Sequence, residues 1–211
     1  FFYVRFGRFG NFLWTQDTRA RWGGDLSNLV AGRGIRHNAQ QTIEGQLVLK
    51  QDVLSRTFGE MTVDDVAIVG TDLFFREGAA FGLLFLASNN TMLAANIERQ
   101  RAARLAAGGA TQKKVTVAGR EVSYLSSPDG SVRSYYAADG DYHFVCTSKH
   151  LMRRFLETAS GEGTLASSAG FRHARSVMPL AREDTVFVYL SDPFLRNFTG
   201  PGYRIETQRR L

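Results

Sequence analysis

Hydrophobic and polar positions alternate most regularly between Lys114 and Glu157. Val115 and Val117 flank Thr116 with the period of two of a half-buried strand, and Val122 and Tyr124 resume it after the two-residue turn Ala118-Gly119. Ser127-Pro128-Asp129-Gly130 has the composition of a β-turn, with Pro pre-setting φ at its second position. A third strand runs from Val132 to Tyr136, and Asp139-Gly140 marks a hairpin into a fourth. There Tyr142, Phe144 and Cys146 point to one face, and His143, Val145 and Thr147 to the other. Links this short join only antiparallel neighbours, so residues 115–147 are predicted to form a four-stranded meander. The period then changes. Ser148 suits an N-cap, and Leu151, Met152, Phe155 and Leu156 share one side of a helix over 148–158.

The same reading extends outward. Phe1–Phe6 is a strand, followed by a helix through Phe9, Phe12 and Leu13 toward Trp22, stopped by Gly23-Gly24. Asp25 heads a short helix through Leu29 and Val30, and residues 32–42 read as a loop. Ile43–Lys50 fits strand or helix. Asp52 caps a helix Val53–Phe58 that Gly59 ends, and Val66–Val69 is a β-branched strand. Past a bulge at Gly70 the pattern allows Asp72–Arg76 to extend that strand, before a turn at Glu77-Gly78. Ala80–Ala87 is apolar on both faces, which places it centrally in a sheet. Asn89-Asn90-Thr91 caps a long helix to about Ala107, with Leu93, Ile97 and Leu105 inward and Arg99, Arg101 and Arg104 solvated; Gly108-Gly109 ends it. Gly161–Ser167 is a small-residue loop. A helix over 168–178 turns Phe171, Ala174, Val177 and Met178 inward and is closed by Pro179. Thr185–Leu190 is a strand, and Asp192-Pro193 starts the last helix. FFYVRFGRFGNFLW and TVFVYLSDPFLRNF echo one another as strand, turn and aromatic-led helix, a pattern that duplication and chance both produce. The fold class that follows is α+β, a largely antiparallel sheet with helices packed on one face, in a single domain over residues 1–211.

At 44% hydrophobic and 22% charged, with 16 Phe, the 211 residues supply ample core and exclude a disordered chain. The longest apolar runs are too short to span a bilayer. The chain opens in what reads as mid-strand, so it is taken as a piece of a longer protein, continuing at both ends, and any export signal or anchor would lie outside it. Only four of the 26 basic residues are Lys (Lys50, Lys113, Lys114, Lys149), and the basic positions are spread along the chain. The net charge of +6 therefore speaks weakly for an anionic partner, and nucleic acid is not the expected one. If the charge reflects composition alone, Arg99, Arg101, Arg104, Arg153, Arg154, Arg172 and Arg175 should not converge on one concave surface.

Candidate chemistry is sparse. His37, His143, His150 and His173 lack metal-ligand spacing and read as structural or surface histidines. His143 and Cys146, three apart on one strand, point to opposite faces and make no dyad, which leaves Cys146 as core. Gly108–Lys114 follows a helix and lacks phosphate-loop spacing, and Gly32-Arg33-Gly34 is no dinucleotide fingerprint. Asp64, Asp65 and Asp72 form either an acidic cluster or a solvated turn, the latter favoured. Asn89-Asn90-Thr91 and Asn197-Phe198-Thr199 match the glycosylation triplet, though the first serves better as a cap. Tyr135, Tyr136 and Tyr142 beside Arg133 form either a stacking platform for single-stranded nucleic acid or cross-strand pairs that stabilise the sheet, the latter favoured. No catalytic, cofactor-binding or metal-binding residue is nominated, and an enzyme is not expected.

The succession VTVAGREVSYL, RSYYAADGDYHFVCTS, LMRRFLE, a loop with Thr-Leu-Ala, a helix with Phe171 and a strand led by Asp184 resembles the bacterial DUF3352 domain, a family of unassigned function. FFYVRFGRFGNFL resembles that family's first strand and helix. Ser168-Ala169-Gly170 departs from it where Asp-Pro is usual. The resemblance implies an exported or envelope-facing bacterial protein and supplies no substrate. The expected role is a non-enzymatic envelope domain that binds a protein or envelope component, or forms a structural part of a larger assembly. The alternative is a carrier of an apolar ligand or lipid, with some of the 16 Phe lining a sheet–helix cavity. An elongated apolar cavity favours the carrier, and a solid core favours the scaffold.

Overall fold

The structure is a computed structural model that describes residues 1–22, 39–50, 53–72, 79–161, 163–181 and 186–209. Among the described residues eight strands form one antiparallel sheet: β1 (Phe2–Gly7), β2 (Val63–Gly70), β3 (Phe81–Ala87), β4 (Thr111–Val117), β5 (Arg120–Ser126), β6 (Arg133–Asp139), β7 (Tyr142–Cys146) and β8 (Phe187–Leu190). Their spatial order is β4-β5-β6-β7-β3-β2-β1-β8. The meander β4 to β7 is as the alternation predicts. Its first turn has Ala118 at φ 49° and Gly119 at φ 76°. This doubly left-handed geometry matches strand twist but costs Ala118 some strain. In the third turn Asp139 pairs with Tyr142, so the two linking residues are Gly140 and Asp141, one position beyond the Asp-Gly reading.

The described helices are α1 (Phe9–Trp22), α2 (Ala39–Leu47), α3 (Val53–Thr62), α4 (Asn90–Ala106), α5 (Lys149–Ala159), α6 (Ala169–Val177), α7 (Asp192–Thr199) and α8 (Pro201–Arg209). Strand alternation divides them between two layers. Phe2, Val66, Phe81, Leu83, Phe85, Tyr136 and Val145 pack against Phe9 and Phe12 of α1, Leu47 of α2, Leu93 and Ile97 of α4, and Phe194 of α7. On the opposite face Val117, Val122, Phe144 and Cys146 meet Leu151, Met152 and Leu156 of α5, with Phe155 against them. Phe171 of α6 packs edge-on to Tyr3, Phe187 and Tyr189 of that same face. The one-face arrangement thus holds for α1, α2, α4 and α7, while α5 and α6 cover the other side. The two echoed segments are β1–α1 and β8–α7, and their strands are antiparallel neighbours.

Several sequence expectations need correcting. Residues 39–42, read as loop, begin α2, and the ambiguous stretch from Ile43 is helical to Leu47. α3 does not stop at Gly59 but continues to Thr62; the glycine makes room for α1, since a Cβ at Gly59 would lie 2.2 Å from the Phe9 ring. β2 begins at Val63, so Asp64 and Asp65 are strand residues and not a turn. Ser148 holds the extended N-cap backbone of α5, but its hydroxyl makes no cap bond. Asn89 caps α4 by accepting from the Met92 amide at 3.0 Å, and Ser191 caps α7 through the Phe194 amide. Val177 and Met178 are exposed, since α6 meets the sheet through Phe171 and Arg175. The readings at Gly23–Val30, residues 32–38, Asp52, Leu73–Gly78 and Thr185 lie outside the described residues.

Arg101 is the largest correction. It is 1% exposed and lies on the same stripe of α4 as Leu93 and Ile97. Its guanidinium donates to the Ser134 hydroxyl at 2.8 Å, the Ser123 hydroxyl at 3.0 Å and the Ser134 carbonyl at 3.4 Å, and sits 5.8 Å from the Tyr136 ring centroid. Burial lowers its pKa to about 10, partly opposed by Glu98 and Tyr136, so it stays charged near neutral pH. The Ser134 hydroxyl in turn donates to the Leu47 carbonyl at 2.8 Å. One guanidinium therefore ties α4 to β5 and β6, and through Ser134 to the end of α2.

At Gly82 in β3, a Cβ would lie 2.5 Å from the Cys146 Cβ and 2.7 Å from both the Phe144 ring and the Val145 carbonyl. Gly82→Ala is expected to destabilise the protein by about 1–3 kcal/mol through overpacking, read as a lower urea midpoint at unchanged m-value.

Candidate functional site

The sheet face beneath α1 to α4 and α7 carries an apolar cavity of about 510 Å³. Its floor is built by alternation: Phe81, Leu83 and Phe85 of β3, Ile68 of β2, Phe2 and Val4 of β1, and Leu190 of β8. Register brings these together, since Leu83 pairs with Ile68, Ile68 with Val4, and Phe2 with Leu190. The floor crosses four adjacent strands, which at about 4.8 Å per strand is a span of roughly 14 Å. The roof is supplied by Phe9 and Phe12 of α1, Ile43 and Leu47 of α2, Leu93 and Ile97 of α4, and Phe194, Leu195 and Phe198 of α7. Seven of the 16 Phe line it.

The two ends differ in chemistry. At the α7 end the lining is Leu190, Phe194, Leu195 and Phe198, with Leu190 and Leu195 exposed. At the α2–α4 end Glu44, Lys50, Asn96 and Gln100 join the wall. The chain reaches Lys50 through a sharp reversal after α2: the Val48 amide donates to the Gly45 carbonyl and the Leu49 amide to the Glu44 carbonyl, the pairing of a Schellman stop. Val48 takes φ 58° to make it, an uncommon backbone for a β-branched residue. Its buried side chain packs with Leu125 and Val132, which holds the strained turn in place.

A second polar cluster lies on the same sheet face. The Tyr136 hydroxyl is 3.0 Å from His143 Nδ1, His143 Nε2 is 2.9 Å from the Asn90 side-chain oxygen, and the Asn90 amide donates to Asp141 at 2.5 Å. Because the Asn90 oxygen only accepts, Nε2 carries the proton and the neutral Nδ1 accepts from Tyr136. Burial lowers the His143 pKa, against a weaker pull upward from Asp141. The hydrogen-bond capacity of the ring is filled within the protein, so the cluster is a structural tie between β6, β7 and α4.

The remaining candidates do not assemble into a site. His150 and His173 are exposed, and His37 lies outside the described residues. Cys146 faces α5, opposite His143; its thiol donates to the Ser148 carbonyl at 3.2 Å, and burial pushes its pKa up to about 12, so it stays protonated. Asp65 pairs with Arg5 at 2.5 Å, Asp64 is exposed, and Asp72 accepts from the Ala80 amide at 3.2 Å. Among the described residues no group of three or more His, Cys, Asp or Glu is placed to hold a metal ion. Tyr135 stacks on Tyr124 across β5 and β6 at 4.2 Å, while Tyr136 points to the opposite face, so the aromatic residues form cross-strand pairs and no platform. Asn197 to Thr199 lie within α7, and Gly108 to Lys114 form the link from α4 into β4. Gly32 and Gly34 are outside the described residues. The singled-out arginines divide between α4 on one face and α5 and α6 on the other, with Arg101 buried and Arg175 over the Phe187 ring at 3.7 Å. Among the described residues no helix is long and apolar enough to cross a membrane.

Fold and cavity together define a layered α+β protein with an internal apolar site. No family model, curated protein or solved structure matches the chain. The sequence nominated none of the cavity-lining positions individually; the surplus of Phe was the only signal for them.

A His whose folded pKa lies below its ordinary 6.5 stabilises the fold in its neutral form. That contribution is fully present above pH 6.5 and is lost as pH falls toward the folded value, where the unfolded chain binds more protons. NMR titration should place His143 below 6.5. Tyr136→Phe, which removes the donor to Nδ1, should raise the His143 pKa and cost about 1–2 kcal/mol in urea unfolding.

Proposed function

We propose that this protein is a carrier or receptor for one apolar ligand, held in the cavity between the sheet and α1, α2, α4 and α7. The observation that supports this reading is the apolar, Phe-lined space of about 510 Å³ over four strands, which lies within the size range of pockets that enclose a single small molecule. A solid core would have favoured the structural-scaffold reading. Each buried methylene of a ligand would contribute about 0.8 kcal/mol, so a medium-length acyl chain gains roughly 8–10 kcal/mol before association costs of about 4–15 kcal/mol. At the lowest association cost about 6 kcal/mol remains, so burial of the chain alone supports a dissociation constant no tighter than tens of micromolar. Placement in a bacterial envelope follows from the resemblance to the DUF3352 domain and fits a role in holding or passing on a poorly soluble compound.

The folded protein should bind the neutral fluorophore N-phenylnaphthylamine saturably, at about one equivalent, with a blue-shifted emission. Ile68→Trp, which fills the cavity floor, should reduce that binding by about tenfold or more while circular dichroism stays unchanged. Absence of saturable binding by the folded unsubstituted protein would overturn the reading.

A further inference from the structure

The polar end of the cavity has a donor-rich character fixed by the backbone. The Lys50 amide donates to the Gln100 side-chain oxygen at 2.6 Å, which sets the orientation of that amide group. The Gln100 nitrogen must then face Asn96, and it donates to the Asn96 side-chain oxygen at 2.9 Å. Asn96 is thereby oriented as well, with its oxygen engaged and its NH₂ left as the donating end. Both amide oxygens of α4 at this end thus accept a hydrogen bond within the protein. These bonds leave the N–H of Asn96 beside the ammonium of Lys50; Gln16 and Thr62 also line the cavity. Glu44 is the one carboxylate in the wall.

Arg101 maintains this geometry, because it fixes the α4 turn that carries Asn96, Ile97 and Gln100 onto β5 and β6. The strained reversal at Val48 fixes the other partner, turning Lys50 toward Gln100. Both ends reach solvent, but a guest meets polar groups at the Lys50 end and the hydrocarbon of Leu190, Phe194, Leu195 and Phe198 at the other.

We infer that the ligand is a single-chain amphiphile with an acceptor-only, anionic head, of the fatty-acid class. The head lies against Lys50 and Asn96, and the chain runs beneath α1 along Val4 and Phe2 toward α7. An ionised carboxylate accepts hydrogen bonds without donating any, which complements the Asn96 N–H and the Lys50 ammonium, and charge-assisted bonds of this kind are roughly twice as strong as neutral ones. A fatty alcohol of equal length would bury the same hydrocarbon but gain less at the head. Glu44 weakens the acid's advantage by repulsion, so it tunes affinity without reversing the preference.

The inference rests on the carrier reading, and the experiment separates the two. Laurate and dodecanol are made to compete with N-phenylnaphthylamine at pH 8, where laurate is ionised. Laurate should bind at least about tenfold more tightly than dodecanol. Lys50→Met should abolish most of that difference by weakening laurate, whereas Glu44→Gln should widen it. Equal binding of the two, or tighter dodecanol binding, would overturn the anionic-head assignment while leaving the carrier reading intact. A laurate preference unaffected by Lys50→Met would equally overturn the assignment. If the fluorophore, laurate and dodecanol all fail to bind the folded protein, both readings fall.

Discussion

The side chains of β3 alternate between two apolar layers, and both layers have to form for the strand to be buried. Phe81, Leu83 and Phe85 enter the layer beneath α1, α2, α4 and α7, while Leu84 packs into the layer beneath α5. A strand apolar on both faces is stable only when neither face meets water, so the α5 cover and the cavity roof are linked requirements. Gly82 allows the tightest part of this arrangement, with β7 drawn in until Cys146 and Phe144 occupy the volume of its missing side chain. The cavity floor is consequently one surface of a sheet supported from behind by a close-packed layer, and it has little freedom to sag.

Polar ties position the roof over that floor. Arg101 anchors α4 to β5 and β6, Ser134 links the same point to the end of α2, and His143 holds the start of α4 through Asn90. Such bonds add little net stability each, but a buried donor or acceptor that loses its partner is costly. They therefore specify where a helix sits more than how strongly it is held. Apolar contacts alone would tolerate a shift of α4 by part of a turn, and these groups would not. The same specificity carries to the polar end of the cavity, because Asn96 and Gln100 lie on the turn just before Arg101.

Much of this architecture was legible in the sequence, for an identifiable reason. The meander and α5 announced themselves by strict alternation followed by helical spacing, and β3 by its two apolar faces. Arg101 was legible in principle, since it stands four residues after Ile97 and eight after Leu93, on the buried stripe. Residue type suggested solvent, while position demanded burial, and position prevailed because Ser123 and Ser134 supplied acceptors. Gly59 failed as a stop signal because its role is steric, leaving room for Phe9 from a distant helix. Val177 and Met178 extend a pattern that α6 is too short to bury. The cavity was the least legible feature. A Phe that lines a concavity and a Phe that fills a core are the same letter in the same period, and only the separation of helix and sheet distinguishes them.

That separation has an energetic consequence. Removing contact atoms from an apolar interior costs about 24 cal/mol per Å³, so a fully enclosed space of 510 Å³ would forfeit on the order of 10 kcal/mol, comparable to the whole stability of a domain. Exposure of Lys50, Leu190 and Leu195 at its ends lowers that cost but does not abolish it. A sequence selected for stability alone would close the gap by enlarging Ile43, Val4 or Ile68, each of which has room before it. The rigid floor set by β3 and the polar ties on α4 act in the opposite sense, resisting collapse of the roof. A ligand that fills the space regains the missing contacts and binds only the folded chain, so its affinity and the stability of the fold are one linked quantity.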